Sequence, residues 1–411
     1  MEIRPILSAL MRSKVALILI GVQIALTLAI VCNSLFIINQ RLEKMGRPSG
    51  MNETDTFMIT SMGFGTAYNV ETAIKDDVAM LRNLPGVAAA APTNTAPLSN
   101  SGWSEGVRTS PEQKQSVGFT AIYFGDEHAV SAFGTKLVAG RNFRPEEITF
   151  RGERSVTWPS SVLMTKAQAE KLWPGQDPVG KQLWLDENQP PMTVIGIVER
   201  LQVPWPNIGP GRLNDSNRVE YSLIVPQLAP FGNMSRYMIR AEPGRRNEVL
   251  KLVEAKMIES NKSRIVRDAK TMEEIRGDGY REDRSMTIIL LGVITSLLTI
   301  TALGIVGMAS FWVTQRTKQI GTRRALGATR GAILRYFLTE NFIITTLGLI
   351  LGSLLTYGFN YWLMTTNEGQ VLPMAYLLVG VLSMWVLGQL AVLGPATRAS
   401  RVPPAVATRS V

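Results

Sequence analysis

The sequence predicts an α-helical membrane protein: four transmembrane helices, with a large α/β domain of two subdomains inserted between helices 1 and 2. Three observations predict it. Four apolar runs carry no charge: Val15 to Ile38, Met286 to Val313, Phe342 to Thr366 and Gln370 to Thr397. Each exceeds the roughly 20 residues that cross a hydrocarbon core as a helix. One long polar block, 41–285, separates the first run from the second. Finally, the chain's net charge of +10 sits almost wholly beside the apolar runs.

The composition agrees. Of 411 residues, 45% are hydrophobic and 18% charged, below the roughly 25% charged of soluble domains. A disordered chain would be polar and highly charged. The single cysteine, Cys32, excludes a disulfide scaffold and is expected to pack within its helix. The single histidine, His128, leaves little for histidine-based catalysis or metal binding. No cofactor or metal is expected on this chain.

Helix 1 is expected to be an uncleaved anchor within 1–40. Its apolar run is longer than a signal-peptide core, and no small-x-small cleavage site follows it. Helix 2 is expected over 286–313, helix 3 over 339–366 and helix 4 over 370–397, with a short outside loop at 367–373. The flanking segments carry 12 basic residues against two acidic ones. These are Arg4, Arg12 and Lys14 before helix 1; Arg316, Lys318, Arg323, Arg324, Arg330 and Arg335 in the segment 314–338; and Arg398, Arg401 and Arg409 in the tail 398–411. Block 41–285 is nearly neutral. The positive-inside rule then places both termini and the 314–338 segment in the cytoplasm, and the block outside. The same arithmetic argues against nucleic-acid binding, because the basic residues flank membrane helices.

The block reads as mixed α/β. Thr56 to Thr60 is strand-like. Val70 to Asn83 has helical apolar spacing, ended by Pro85-Gly86, and Val87 to Ala91 reads as the next strand. A second β-α-β unit runs through Tyr237–Arg240, Arg246–Ser260 and Arg264–Val266. These units, about 50–100 and 230–275, are expected to form one subdomain. The stretch of about 101–229 is expected to insert as another, with a helix at Lys166–Leu172 and strands at Gln182–Leu185 and Thr193–Val198. Residues 202–218, with Trp205 between prolines, read as an exposed loop and a weak candidate for partner contact. Segment 273–285, charged and free of proline, is expected to extend helix 2 as a stalk.

Some motifs are set aside. Gly102-Trp103-Ser104-Glu105-Gly106 matches G-x-S-x-G, but its polar surroundings read as a loop rather than the strand-turn-helix a nucleophile needs. Asp126-Glu127-His128 has three ligand types and no second His or Cys cluster, and reads as a turn or helix start. The sequence holds no G-x-x-x-x-G-K-[ST], so no ATP-binding loop is expected here.

Residues 313–352, VTQRTKQIGTRRALGATRGAILRYFLTENFIITTLGLILG, resemble the cytoplasmic loop and third helix of FtsX/MacB-type ABC transporter permeases. The ending PATRASRVPPAVATR resembles that family's closing segment. LVAGRNF at 137–143, and VLMTKAQAEKLWPGQDPVGKQLWL followed by TVIGIV, resemble its periplasmic core domain. The resemblance implies a non-catalytic, mechanotransmitting permease of the bacterial inner membrane. A separate ABC ATPase would bind ATP and Mg, and a second permease copy would complete a dimer. Its coupling segment would comprise Arg316, Lys318, Gln319, Ile320, Gly321, Arg323, Arg324, Ala325, Leu326, Gly327, Ala328 and Arg330. The cations offer charge pairing, the small residues close approach, and Ile320, Leu326 and Ile333 anchorage. Setting topology at lipid headgroups is the plainer role for the same cations.

Gln315 and Gln319 stand where the family commonly carries acidic residues. That departure suggests a heterodimer with a second permease that keeps them, while a homodimer stays open. The two-subdomain size suits the family's efflux and lipoprotein-releasing branches and is larger than expected for the envelope-regulating one; efflux of an antimicrobial or peptide-like compound with a periplasmic adaptor and outer-membrane channel is the favoured expectation. A secondary transporter or a membrane-anchored sensor or assembly factor is the reading from other classes. Uncharged helix centres argue against the transporter, and a sensor would not need the 316–331 segment.

Overall fold

The computed structural model describes residues 14–152, 157–185, 189–208, 216–367 and 371–403. Arg4, Arg12, Glu368 and Arg409, along with 209–215 of the Pro-rich loop, lie outside the described residues. The chain divides into two compact units. One contains the N-terminal helix and everything from Asp283 onward; the other is 47–282.

The first unit holds helices α1 (Lys14–Met45), α7 (Arg281–Gln315), α8 (Thr317–Ala325), α9 (Arg330–Asn367) and α10 (Met374–Ser400). All but α8 are long and apolar enough to cross a membrane. Each spanning helix extends past its uncharged run, because flanking polar residues still complete backbone hydrogen bonds within the helix. Helix α9 absorbs 330–338, which the sequence placed in the connecting segment, and α10 starts four residues later than expected.

Small residues let these helices approach closely, as membrane packing favours. Gly348 and Gly352, one turn apart on α9, face α1. A Cβ at Gly352 would lie 3.0 Å from both the Cα and the carbonyl oxygen of Ala25. A Cβ at Gly380 of α10 would lie 2.4 Å from Cys32 Sγ. Helix α1 is thereby sunk among its neighbours, with Ile24, Ala25, Leu28 and Cys32 fully buried. Polar ties fix the register. The Thr27 and Thr301 hydroxyls hydrogen-bond at 2.8 Å. Asn33 Nδ2 donates to the Thr356 carbonyl at 3.2 Å. Lys44 Nζ lies 2.8 Å from buried Asp283, which Arg41 also pairs.

In the 47–282 unit, strands β1 (Thr56–Gly63), β2 (Val87–Thr93), β11 (Met234–Ala241) and β12 (Arg264–Thr271) form an antiparallel sheet ordered β12-β1-β11-β2. Helix α2 (Val70–Arg82) links β1 to β2, and α5 (Arg246–Ser260) links β11 to β12. Two β-α-β units in this order make the split arrangement of ferredoxin-like folds. Alternation places Phe57, Ile59, Tyr237 and Ile239 on the helix side, against Ile74, Val78 and Leu81 of α2 and Val249, Val253 and Met257 of α5. Asn69 caps α2 by accepting from the Thr72 N–H at 3.0 Å. Within this core Arg264 pairs with Asp77, and Tyr237 Oη donates to the same carboxylate at 2.6 Å.

The second sheet is ordered β3-β4-β10-β7-β9-β5, from β3 (Trp103–Val107), β4 (Gly118–Gly125), β5 (Leu137–Gly140), β7 (Ser161–Thr165), β9 (Met192–Val198) and β10 (Ser222–Leu228). Short β6 (Thr149–Phe150) joins β10, and β8 (Gln182–Leu183) joins β9. Helices α3 (Ala129–Phe133) and α4 (Lys166–Leu172) accompany it. Asn94, just past β2, ties the sheets: its Nδ2 donates to Ile122 O at 2.9 Å and its Oδ1 accepts from Phe124 N–H at 3.0 Å.

Three expectations are corrected and a fourth is refined. Segment 273–285 is not one continuous stalk. Helix α6 (Met272–Gly279) ends at Tyr280, and α7 starts afresh at Arg281. Met272, Ile275 and Tyr280 are buried, so burial of this short helix's apolar face prevails over continuation. The start of the 202–218 loop is not exposed. Gln202 and Val203 are buried, their N–H groups donating to Ser49 O at 2.8 Å and Val219 O at 2.9 Å; Trp205 is half-buried, edge-on to Phe119 at 5.3 Å. The G-x-S-x-G segment lies largely in edge strand β3 rather than in a loop, and no helix follows it. In Asp126-Glu127-His128, His128 precedes α3 as a helix start, but Asp126 is buried and paired with Arg82 rather than lying on a surface turn.

Candidate functional site

The segment joining α7 to α9 is a short helix held between two breaks. Arg316, with φ −100° and ψ 10°, ends the α7 geometry and precedes α8. At the other end Gly327 takes φ +96°, a conformation that suits glycine. The Ala328 N–H then returns to the Arg323 carbonyl at 3.0 Å, closing a Schellman-type cap. Thr329 Oγ1 accepts from Ala332 N–H at 3.1 Å and starts α9.

This geometry sorts the residues that the sequence singled out. Ile320 and Gly321 face inward and are buried, Ile320 in a core shared with Ile333, Phe337 and Trp312. They anchor α8 to its own chain and are not a surface for another. Arg316 is turned inward too. Its Nη1 lies 2.9 Å from both carboxylate oxygens of Glu340, which is 1% exposed. Its guanidinium also lies 5.7 Å from the Trp312 ring centroid. The charge pairing expected of Arg316 is thus satisfied within the chain.

Lys318, Gln319, Arg323, Ala325, Leu326, Gly327 and Arg330 face outward. Leu326 is 83% exposed, at the tip of the segment. The Arg323 guanidinium lies 5.0 Å from the Tyr336 ring, which steadies it without neutralising it. Arg324 and Ala328 are half-buried, and Arg324 Nη1 donates to the Ala328 carbonyl at 3.3 Å. Residues 313–339 hold no Asp or Glu. The result is an acid-free face with one apolar knob. It offers noncovalent docking to an acidic surface with an apolar recess, and no nucleophile or acid-base pair. Among the described residues no group of three His, Cys, Asp or Glu side chains gathers as metal ligands.

Glu340 is the residue that sequence reasoning undervalued. Its signal was available: it is the sole carboxylate in α9 up to Asn367, and it falls in the stripe Ile333, Phe337, Glu340, Ile344, at the spacing of a buried helix face. A charge in that stripe demands a partner.

Comparison with known proteins places this arrangement. Residues 15–256 match the model of the MacB-like periplasmic core domain, and residues 291–404 match that of the FtsX-like permease C-terminal region. A macrolide export ATP-binding/permease protein MacB of Chromobacterium violaceum is 25% identical over 328 residues, covering 78% of this chain and 49% of that protein. The uncharacterized ABC transporter permease YknZ of Bacillus subtilis is 25% identical over 279 residues, covering 67% of this chain and 66% of that protein. The solved periplasmic region of MacB from Actinobacillus actinomycetemcomitans aligns with a TM-score of 0.34 at 13% identity, covering 57% of this chain and 97% of that structure. The chain spans about half the length of the MacB proteins it matches. With a MacB-like core domain over more than half its length, followed by an FtsX-like region, the chain belongs to the MacB/FtsX-type family of ABC transporter permeases.

Proposed function

We propose that this permease converts ATP hydrolysis by a separate ABC ATPase into movement of its inserted domain, with the outward face of α8 as the docking element. The observation that carries the reading is the acid-free face of Lys318, Arg323 and Arg330 around exposed Leu326, on a helix pinned from behind by Arg316 and Glu340. A helix so pinned passes on displacement instead of absorbing it, since both its ends meet spanning helices.

In this reading the chain is a non-catalytic, multi-pass protein of a bacterial inner membrane. Both termini and α8 are cytoplasmic, and residues 47–282 are periplasmic. ATP and Mg belong to the partner ATPase, and a second permease copy, identical or related, completes the transporter. Efflux of an antimicrobial or peptide-like compound through a periplasmic adaptor and outer-membrane channel is the favoured task. The names of the MacB relatives, as macrolide exporters, support that direction. The test is affinity capture of the full chain from native membranes in mild detergent, with mass spectrometry and an ATPase assay. An ABC ATPase that co-purifies and turns over is the expected result, and the accompanying polypeptides separate efflux from lipoprotein handling. Clean recovery without an ATPase would return a sensor or secondary transporter to first place.

A further inference from the structure

We propose that the inserted domain carries a binding site for a small zwitterion, an amino acid or short peptide with free termini, on the face of its antiparallel sheet opposite α2 and α5. The site is a polar groove of about 230 Å³, open to solvent and sized for a ligand smaller than a drug-like molecule. Met58 and Thr60 of β1 and Arg236 of β11 form its floor, since alternation sends their neighbours Phe57, Ile59 and Tyr237 to the helix side.

A β-bulge in β12 brings further charge to this face. Met58 pairs with Lys270, but Thr60 pairs with Arg267, so β12 carries one extra residue between them. Asp268, in the left-handed region at φ +52°, lies within it. Val266 and Ala269 both pack toward the helix-side core, which shows the shift of alternation. Asp268 and Lys270 are thereby turned to the groove.

Loop 95–101 forms the wall. The Thr95 and Ser99 hydroxyls lie 2.7 Å apart and both are within reach of the Ser101 carbonyl, so their two protons are shared among these three contacts. The absence of a side chain at Gly279 of α6 lets this loop pack against the helix, since a Cβ there would collide with Leu98 O. Among the described residues, non-glycine positive φ occurs at Leu98, Asn100 and Asp268. All three lie in this wall or on this floor, and backbone held in such conformations collects at binding sites.

The charge pattern names the ligand. Asp278 pairs with Lys270 at 2.7 Å and with the exposed Arg281, so its carboxylate is fully engaged. Arg236 forms no ion pair among the described residues; one guanidinium nitrogen donates to the Asn94 carbonyl and another only grazes Met234 Sδ at 3.9 Å. Among the described residues Asp268 makes one ion pair, an exposed one with Arg267 at 3.3 Å, and it lies within the electrostatic reach of Arg236 and Lys270. Apart from the Lys270–Asp278–Arg281 cluster, the groove presents the Arg236 cation and the Asp268 carboxylate without a direct ion pair between them, with hydroxyls nearby and Met58 and Ile275 as apolar lining. An α-carboxylate on Arg236 with an α-ammonium on Asp268 complements it. Because Arg236 also holds Asn94, which ties the two sheets, an occupant would act on their junction.

The proposal concerns residues 47–282 alone and stands or falls apart from ATPase docking. The test is isothermal titration of the full chain in mild detergent with trialanine, and with trialanine blocked at both ends. Saturable binding of the free peptide is expected, weakened about tenfold or more by blocking. Arg236→Gln is expected to weaken binding by a similar factor. Since that change also touches Asn94, Asp268→Asn serves as the second variant and is expected to weaken binding with an unchanged melting temperature. No saturable binding at millimolar peptide, equal binding of the blocked peptide, or wild-type affinity in both variants would overturn the proposal.

Discussion

Replacing Arg316 by methionine should destabilise the membrane unit far more than removing any outward cation of α8. The structure supplies the magnitude. Glu340 is 1% exposed, and Arg316 meets both of its carboxylate oxygens at 2.9 Å. Losing one partner of such a pair leaves an uncompensated buried charge, which costs about 3–5 kcal/mol. Removing both charges together, as Arg316→Met with Glu340→Leu, avoids that cost and is expected to be within about 1 kcal/mol of wild type, because the pair's attraction largely repays its own desolvation. Arg323→Ala forfeits only an exposed cation-π contact of about 0.5–1 kcal/mol. Denaturant titration of the purified protein in detergent, followed by tryptophan fluorescence, measures all three, and Glu340→Leu alone closes the double-mutant cycle. A cost below about 1 kcal/mol for Arg316→Met, or a double variant as unstable as the sum of the singles, would refute the assignment of Arg316 as an internal anchor.

The close approach of α1 and α9 predicts that Gly352→Leu overpacks against the Ala25 backbone and lowers stability by about 1–3 kcal/mol, whereas Gly292→Ala on α7, with no atom within 4 Å, is tolerated; thermal unfolding in detergent distinguishes them. In the inserted domain, Asp77→Leu strands buried Arg264 and leaves Tyr237 only the Ser235 hydroxyl as acceptor, at a cost of about 3–5 kcal/mol by chemical denaturation. Hydrogen bonds from Arg141, aided by the Arg144 backbone and opposed by burial, hold the Glu147 carboxyl down at about 2. A carboxylate with a depressed native pKa stabilises fully above its unfolded value of about 4.3, and that contribution fades as pH falls toward 2. Glu147→Gln should therefore lower stability at neutral pH slightly and flatten the acid limb between about pH 4.5 and 2; an unchanged acid limb would contradict this.

Much of the molecule was legible because the decisive physics is local. Uncharged apolar runs identify spanning helices whatever surrounds them, and Ile74, Val78 and Leu81 announce one face of α2 by spacing alone. Lys166–Leu172 is the helix that the sequence predicts, between strands at Ser161–Thr165 and Gln182–Leu183. What stayed hidden depends on distant partners. Gln202 and Val203 sit in a Pro-rich stretch that reads as loop, yet their N–H groups find acceptors at Ser49 and Val219, so they can be buried. The break at Tyr280 follows from what Met272 and Ile275 bury, not from a proline. In the docking segment the cations looked equivalent. Only the meeting of Arg316 with a carboxylate 24 positions later separates an internal anchor from Lys318 and Arg323 on the surface. The bulge at Asp268, which reverses alternation in β12, left no mark that periodicity could detect.

The central claim is that the outward face of α8 receives the ATPase. Capture of the full chain from native membranes, comparing wild type with Arg323→Glu/Arg330→Glu and with Lys318→Glu/Leu326→Asp, tests it most directly. Inverting charge on a docking face introduces repulsion on top of lost attraction. The account predicts that wild type brings down an active ABC ATPase and that both variants, though folded and membrane-inserted, lose it. Variants that retain ATPase at wild-type stoichiometry and turnover would contradict the account.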